Sequence, residues 1–314
     1  MNLPGHLNVA LAQWLADHAT GGLAQASAAL SEAYRAGETS SAVSLAAYLT
    51  TRVPATFAAN LRVLESVAEA WPGLAPQSLL DVGAGPGVAS WAALAQWPSL
   101  TSATQVEQEP KFLALARALN AGSGLPALAN ADVVQGQLQQ LDKRVDLVLA
   151  SYVLAELPLA QMVDAAGRLW AAAGQALVLV EPGTPQGFAR LRAIRDHLLK
   201  DGAHVVAPCT HAHVCPMVGD DWCHFKVRLA RSRAHMHAKG AVVPFEDEAF
   251  SYLALARQSV ALAGSRIIAP PAVAKPGITF RLCQAEGLGD HHIARRDKAQ
   301  YKLAKSKRWG DTWT

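Results

Sequence analysis

Residues 78–87 read Ser-Leu-Leu-Asp-Val-Gly-Ala-Gly-Pro-Gly. A short apolar run reaches an acid, Asp81, and then three glycines, Gly83, Gly85 and Gly87, separated by Ala84 and Pro86. That order predicts a buried strand running into a tight turn, and residues 88–97 have the texture of a helix. Glycines at such a junction let the backbone approach a ligand closely. The first N–H groups of the helix behind them have no partner inside the helix. Glu107 ends the next strand-like run, 20 residues after Gly87. A carboxylate at that place can grip both hydroxyls of a ribose.

Outward from this motif, short apolar strands alternate with helical stretches. Pro110 opens a helix at 110–119, and strands are expected near 132–137, 145–151 and 176–182. An amphipathic helix lies between the last two. Strands alternating with helices at this spacing predict an α/β chain with a parallel, doubly wound sheet. Residues 1–75 read as helices, with Pro54 in the first turn of a helix that WPG at 71–73 ends. FSYLALAR and ITFRLC read as two late strands that could complete the same sheet. The expected division is a helical region at 1–75, a ligand-binding core at 76–200, and a region of late strands with a basic tail at 201–314.

Half the chain is hydrophobic (51%), enough for a large core and too much for wholesale disorder. No apolar run is long enough to span a membrane, so no membrane partner is expected. The N-terminus carries no signal- or transit-peptide pattern, and the expected location is the cytoplasm of a bacterium. Net charge is only +3, but it is uneven. Residues 226–239 hold five Lys/Arg and no acid, and residues 291–314 hold seven Lys/Arg and two Asp. Basic segments on an otherwise acidic body suggest a polyanion. Arg228, Arg231, Arg233, Lys302, Lys305, Lys307 and Arg308 are the candidate RNA contacts, with aromatic tail residues near them able to stack on bases. The free protein is expected to be a monomer.

The chain has four cysteines. Cys209, Cys215 and Cys223 form C-x5-C-x7-C, and Cys283 follows much later. Unrelated thiols and disulfides are alternatives, but the spacing suggests a shared metal or iron–sulfur site. Four thiolates suit either a cubane cluster (4Fe-4S) or tetrahedral zinc. His211, His213 and His224 stand close by in sequence, as loop polar groups or replacement ligands. Pro208 and Pro216 favour an irregular loop around the first two cysteines.

The loop Asp81–Gly87 resembles the first motif of class I S-adenosylmethionine-dependent methyltransferases more than a dinucleotide fingerprint. The resemblance implies a Rossmann-like sheet and a cofactor set of Asp81, Gly83, Ala84, Gly85, Gly87, Glu107, Gln137 and Ser151. Gln137 stands where that family often has an acid that reads adenine. The methyl acceptor would come to the end of the fourth strand, at Ser151-Tyr152. Tyr152 and Glu156 are the only catalytic candidates, and the catalytic group is otherwise unknown. From about residue 45 onward, AYLTTRVPATFAA, LLDVGAGPG, ASYVLAEL, VLVEPGTPQG, APCTHAHVCP with DWCHF, and YKLAKSKRWGDTW resemble the methyltransferase-like proteins of the mitochondrial small ribosomal subunit and their bacterial relatives. That resemblance implies a bacterial member that contacts small-subunit ribosomal RNA and supports ribosome assembly or translation. It also implies a 4Fe-4S cluster on Cys209, Cys215, Cys223 and Cys283. The alternative is an active methyltransferase on a small molecule or protein with a structural zinc.

Overall fold

Three helices lead the chain: α1 (Gly5–Asp17), α2 (Leu23–Ala36) and α3 (Leu45–Ala70). The alternating segment follows as β1 (Ser78–Val82), α4 (Val88–Gln96), β2 (Ser102–Glu107), α5 (Pro110–Ala121), α6 (Pro126–Ala129), β3 (Asp132–Gln135), β4 (Val145–Ser151), α7 (Leu159–Ala172), β5 (Ala173–Pro182), α8 (Pro185–Lys200) and β6 (His204–Ala207). The last third holds β7 (Phe225–Ala230), α9 (Arg233–Lys239), β8 (Phe245–Ala256), β9 (Ser265–Ile267), β10 (Ala272–Val273), β11 (Gly277–Gln284), β12 (Gly287–Ala294), α10 (Lys298–Ser306) and β13 (Thr312–Trp313). The structure is a computed structural model that describes residues 2–18, 21–36, 44–137, 143–262 and 264–314.

The main sheet runs β3-β2-β1-β4-β5-β8-β6, with β7 paired to β8 beside β6. Strands β1 to β5 are parallel, and β8 is antiparallel to β5. The central strands are covered on both faces, so they are apolar almost throughout. The period of two sorts their residues. Leu79, Leu147, Leu149, Val178 and Val180 meet the layer containing α3 and α4. Leu80, Val148, Ala150, Leu177 and Leu179 meet α7 and α8. This is the class I methyltransferase architecture, with N-terminal helices and a C-terminal extension.

Two sequence expectations need correction. Pro54 lies inside the long helix α3 rather than in its first turn. The helix begins earlier, at a Ser44 cap whose Oγ accepts the Ala47 N–H. ITFRLC does not complete the main sheet. It forms most of β11, the centre of a separate five-stranded sheet with β9, β10, β12 and β13. That sheet has its own core of Ile267, Ile278, Phe280, Leu282, Ile293 and Trp313, covered by Ala304 of α10. FSYLALA does join the main sheet, as the second half of β8.

Candidate functional site

The three glycines of the loop after β1 all have positive φ: 65° at Gly83, 53° at Gly85 and 80° at Gly87. A β-carbon at Gly83 would collide with Val153, and one at Gly87 with the Gln105 amide. Only glycine fits these positions, for both backbone and space. Asp81 is 1% exposed. Its Oδ2 accepts the Ser90 N–H at 3.0 Å and the Ser90 hydroxyl at 2.7 Å. Its Oδ1 is buried with no hydrogen-bond partner among the described residues. Burial pushes its pKa up to about 6, against the pull of the Ser90 hydrogen bonds.

Glu107 reaches back under the same loop. Its Oε2 accepts the Gly85 N–H at 2.8 Å, and its Oε1 accepts the N–H groups of Gln108 and Glu109 at 2.8 and 2.9 Å. Three backbone donors therefore fix the orientation of the carboxylate. Ala84 forms part of the wall of a cavity that also takes in Asp81, Gly83, Tyr48, Arg52, Ser151 and Tyr152. Gln137 lies two residues past β3 and is exposed, and the segment after it, 138–142, falls outside the described residues. Ser151 ends β4 and accepts from Asn60 of α3 at 2.8 Å.

Tyr152 follows with φ 62°, the one non-glycine residue of positive φ found among the described residues. Its N–H is spent on Val180 O at 2.7 Å, and its phenol O–H is buried without a partner among the described residues. Burial first, and then the field of Glu248, raises its pKa well above that of a free phenol. Strain of this kind persists only where surrounding packing imposes it, and it clusters at ligand sites. Glu156 closes a 3-10 turn, Leu154–Glu156, but its side chain falls outside the described residues.

Sequence reading missed the contribution of α3. Tyr48, Arg52 and Thr56 recur on one face of that helix and line the cavity. Arg52 pairs with Glu248 of β8 at 3.1 Å. Tyr48 packs on Phe112 of α5, ring centroids 5.0 Å apart. The i, i+4, i+8 spacing of the three was the available signal, but nothing in it says which face of α3 looks at the glycine loop.

The cysteines are the main correction. Cys209, Cys215, Cys223 and Cys283 do converge, lining one cavity between α8, the 208–224 loop, β8 and β11. They are free thiols, and among the described residues no group of three or more His, Cys, Asp or Glu is placed to hold a metal ion. The expected 4Fe-4S cluster and its zinc alternative are therefore not supported. Burial pushes the Cys283 thiol up to about 12 and the Cys223 thiol well above its usual value, the neighbouring cysteines adding to both. Neutral thiols suit the wall they share with Leu191, Met217 and Ile268. Two buried arginines brace the loop. Arg195 donates to His211 O at 3.1 Å and His213 O at 2.7 Å, and Arg266 donates to Pro208 O and Gly310 O, both at 2.7 Å. His211 lies 3.5 Å from the Cys283 sulfur. His213 contacts Ala285 O, and His224 stacks on Trp222.

The two basic segments differ once folded. Arg228 is held bidentately by Asp247, both contacts 2.7 Å, and lies over the Phe245 ring. Arg231, His235 and Lys239 surround Glu246 at 3.2, 3.0 and 3.3 Å. Acids of β8 thus neutralise Arg228, Arg231 and Lys239, whereas Arg233 is exposed at the start of α9 and Lys226, exposed on β7, lies over the Trp309 ring. Lys302 and Lys305 are exposed on α10, Arg308 is exposed just after it, and Lys307 is half-buried. No helix among the described residues is long and apolar enough to cross a membrane.

Residues 42–314 match the family model described as mitochondrial small ribosomal subunit Rsm22. The human mitochondrial ribosome assembly protein METTL17 is 30% identical over 289 residues, covering 84% of this chain and 61% of the relative. A mitochondrial Rsm22-cox11 tandem protein of Schizosaccharomyces pombe is 26% identical over 287 residues, covering 75% of this chain and 38% of the relative. The chain thus spans about three fifths and two fifths of the lengths of these relatives. Among solved structures, magnesium protoporphyrin IX methyltransferase of Synechocystis with bound SAH is similar at TM-score 0.44 and 14% identity, over 73% of this chain and 94% of that one. The expectation of a bacterial, cytoplasmic member is corrected by these relatives, which are named as mitochondrial proteins.

Proposed function

Because the chain belongs to the mitochondrial small ribosomal subunit Rsm22 family, we propose that it serves small-subunit assembly as an RNA-contacting protein whose methyltransferase-type sheet binds S-adenosylmethionine. The cofactor part is supported by the buried Asp81 Oδ1, an acceptor without a partner among the described residues, close in the chain to a glycine loop whose residues line the same cavity. Asp81 would take the ligand's ammonium, Gly83, Ala84, Gly85 and Gly87 would pass along its backbone-facing side, and Glu107 would orient its ribose. When bound, the cofactor supplies an activated methyl group. Ser151, oriented by Asn60, and Tyr152 would face whatever acceptor approaches the end of β4.

The single observation that carries the RNA part is the exposed cationic row Lys302, Lys305 and Arg308. Phosphate contacts by free cations release counterions, so affinity should fall steeply with salt. Anisotropy titration of a labelled small-subunit rRNA fragment tests this. The charge reversals K302E, K305E and R308E together should weaken binding by at least about tenfold and flatten the salt slope. R228E with R231E should affect binding less, since those arginines already hold acids. Unchanged affinity in the tail variant would remove the RNA reading.

A further inference from the structure

The stretch leading into β7 and the C-terminal tail bring three aromatic rings together. Trp222 and His224 stack, ring centroids 4.9 Å apart and planes 17° from parallel. Trp309 meets the His224 ring edge-on at 4.8 Å. Lys226 Nζ stands over the Trp309 ring, 5.8 Å from its centroid. All three rings are half-buried, and Lys226 is exposed. The other tail aromatics are placed differently. Trp313 is buried in the core of the small sheet, and Tyr301 packs against that core.

The cluster sits at the rim of the main sheet. Trp222 Nε1 donates to Gly183 O at 3.0 Å, just past the end of β5. Lys226 stands opposite Ala249 of β8, whose carbonyl accepts the Gly183 N–H at 3.1 Å. On its other side, Trp309 directly follows the exposed Arg308 at the end of the cationic row. Rings that keep open area beside exposed cations have the composition of a surface for unpaired nucleotides. Every base has a π-face to stack, and the phosphates between bases take the cations. A duplex keeps those faces inside its own stack, so such a surface distinguishes unpaired from paired RNA.

We infer that Trp222, His224 and Trp309 form a stacking site for unpaired RNA bases, with Lys226 and Arg308 on the flanking phosphates. This rests on the RNA reading above and adds to it a preference for strand state. A strand held here runs from the end of α10 toward the carboxyl end of β5.

The test is anisotropy titration of the intact chain with one labelled RNA strand of about 12 nucleotides, within the usual span of such sites. The strand is offered alone and annealed to its complement. Wild type should bind the single strand more tightly. W309L keeps apolar bulk against the main core and removes the indole face. It should lose roughly 5- to 100-fold for the single strand, as expected for one lost stacking partner. Its affinity for the duplex should stay within about twofold. Its salt slope should stay unchanged, because no charge is removed. H224A should show the same selective loss, smaller in size, and is the independent variant if W309L does not fold. Equal losses for strand and duplex, or none for either, overturn the stacking site and leave the RNA reading standing. A wild type that binds the duplex as tightly as the strand does the same. A wild type that binds neither overturns both.

Discussion

Asp81 shows what one side chain contributes to a site and costs the fold. Its carboxylate is buried, one oxygen is unpartnered, and its pKa stands at about 6 instead of 3.8. A raised carboxyl pKa means that the folded state binds the proton more tightly than the unfolded one. Stability therefore rises as pH falls from about 7 toward 4, and the ionised group costs on the order of 2–3 kcal/mol above pH 7. Asp81→Asn mimics the protonated form. It should be more stable than wild type by about that amount at pH 8 in urea denaturation, and the gap should close by about pH 4. It should also bind S-adenosylhomocysteine poorly, having lost the acceptor charge. A gap equal at pH 5 and pH 8 would mean that the carboxylate is not the strained group. The acid, the glycines and Glu107 were legible in sequence because their chemistry is local: positive φ and a strand-end carboxylate each carry a residue signature. Arg52, Tyr48 and Asn60 were not, because their part in the site depends on how α3 is rotated against the sheet.

Pairs of elements explain why charge read along the chain misjudged the first basic segment. β7 alternates exposed Lys226 and Arg228 with buried Phe225, Val227 and Leu229, and its partner β8 sets Asp247 opposite Arg228. Strand pairing joins cations and acids that stand 15 to 19 residues apart, as in Arg231–Glu246 and Arg228–Asp247. Glu246 is the hub. The hydrogen bond from His235, with help from Lys239 and Arg231, lowers its pKa to about 2. A lowered carboxyl pKa contributes stability above the unfolded value of 4.5 and loses it as pH falls toward 2. Glu246→Gln should cost about 1–2 kcal/mol at pH 7, discounted for the partly exposed cations. The deficit should shrink steadily below pH 4.5, and a deficit unchanged at pH 3 would place its origin in packing instead of charge. The same pairing logic hid the small sheet. β9, β10 and β13 are two or three residues long, and β12 breaks its apolar residues with two glycines and the run Asp290-His291-His292, so only β11 had a strand signature. Nothing local in ITFRLC says which sheet it joins.

Across the whole molecule, the C-terminal residues tie the two sheets together. Asp311 takes the Arg62 guanidinium of α3 at 2.7 Å, and Arg266 of β9 grips Gly310 O on one side and Pro208 O on the other. Trp313 packs edge-on against Phe280 at 5.0 Å and closes the small core. The cysteine spacing foretold that the 209–223 loop and Cys283 would meet, and they do share a cavity. It did not foretell what holds them, because spacing constrains where a chain can return and not how its side chains are oriented. Buried arginines on backbone carbonyls do part of that work. Trp313→Ala should therefore act beyond its own strand. Removing a buried tryptophan costs about 3–5 kcal/mol, and here the loss falls on a core of few residues. Hydrogen exchange should speed up in residues 277–294 as the small sheet opens. It should also speed up in 208–216, because Arg266 lies on β9, to which β13 pairs. Protection of β1, β4 and β5 should stay unchanged, since their cores lie on the other sheet. If 277–294 loosens while 208–216 stays protected, Arg266 is not what holds the loop. If the central strands loosen as well, the two sheets unfold as one cooperative unit, and the tail is part of the main fold's stability.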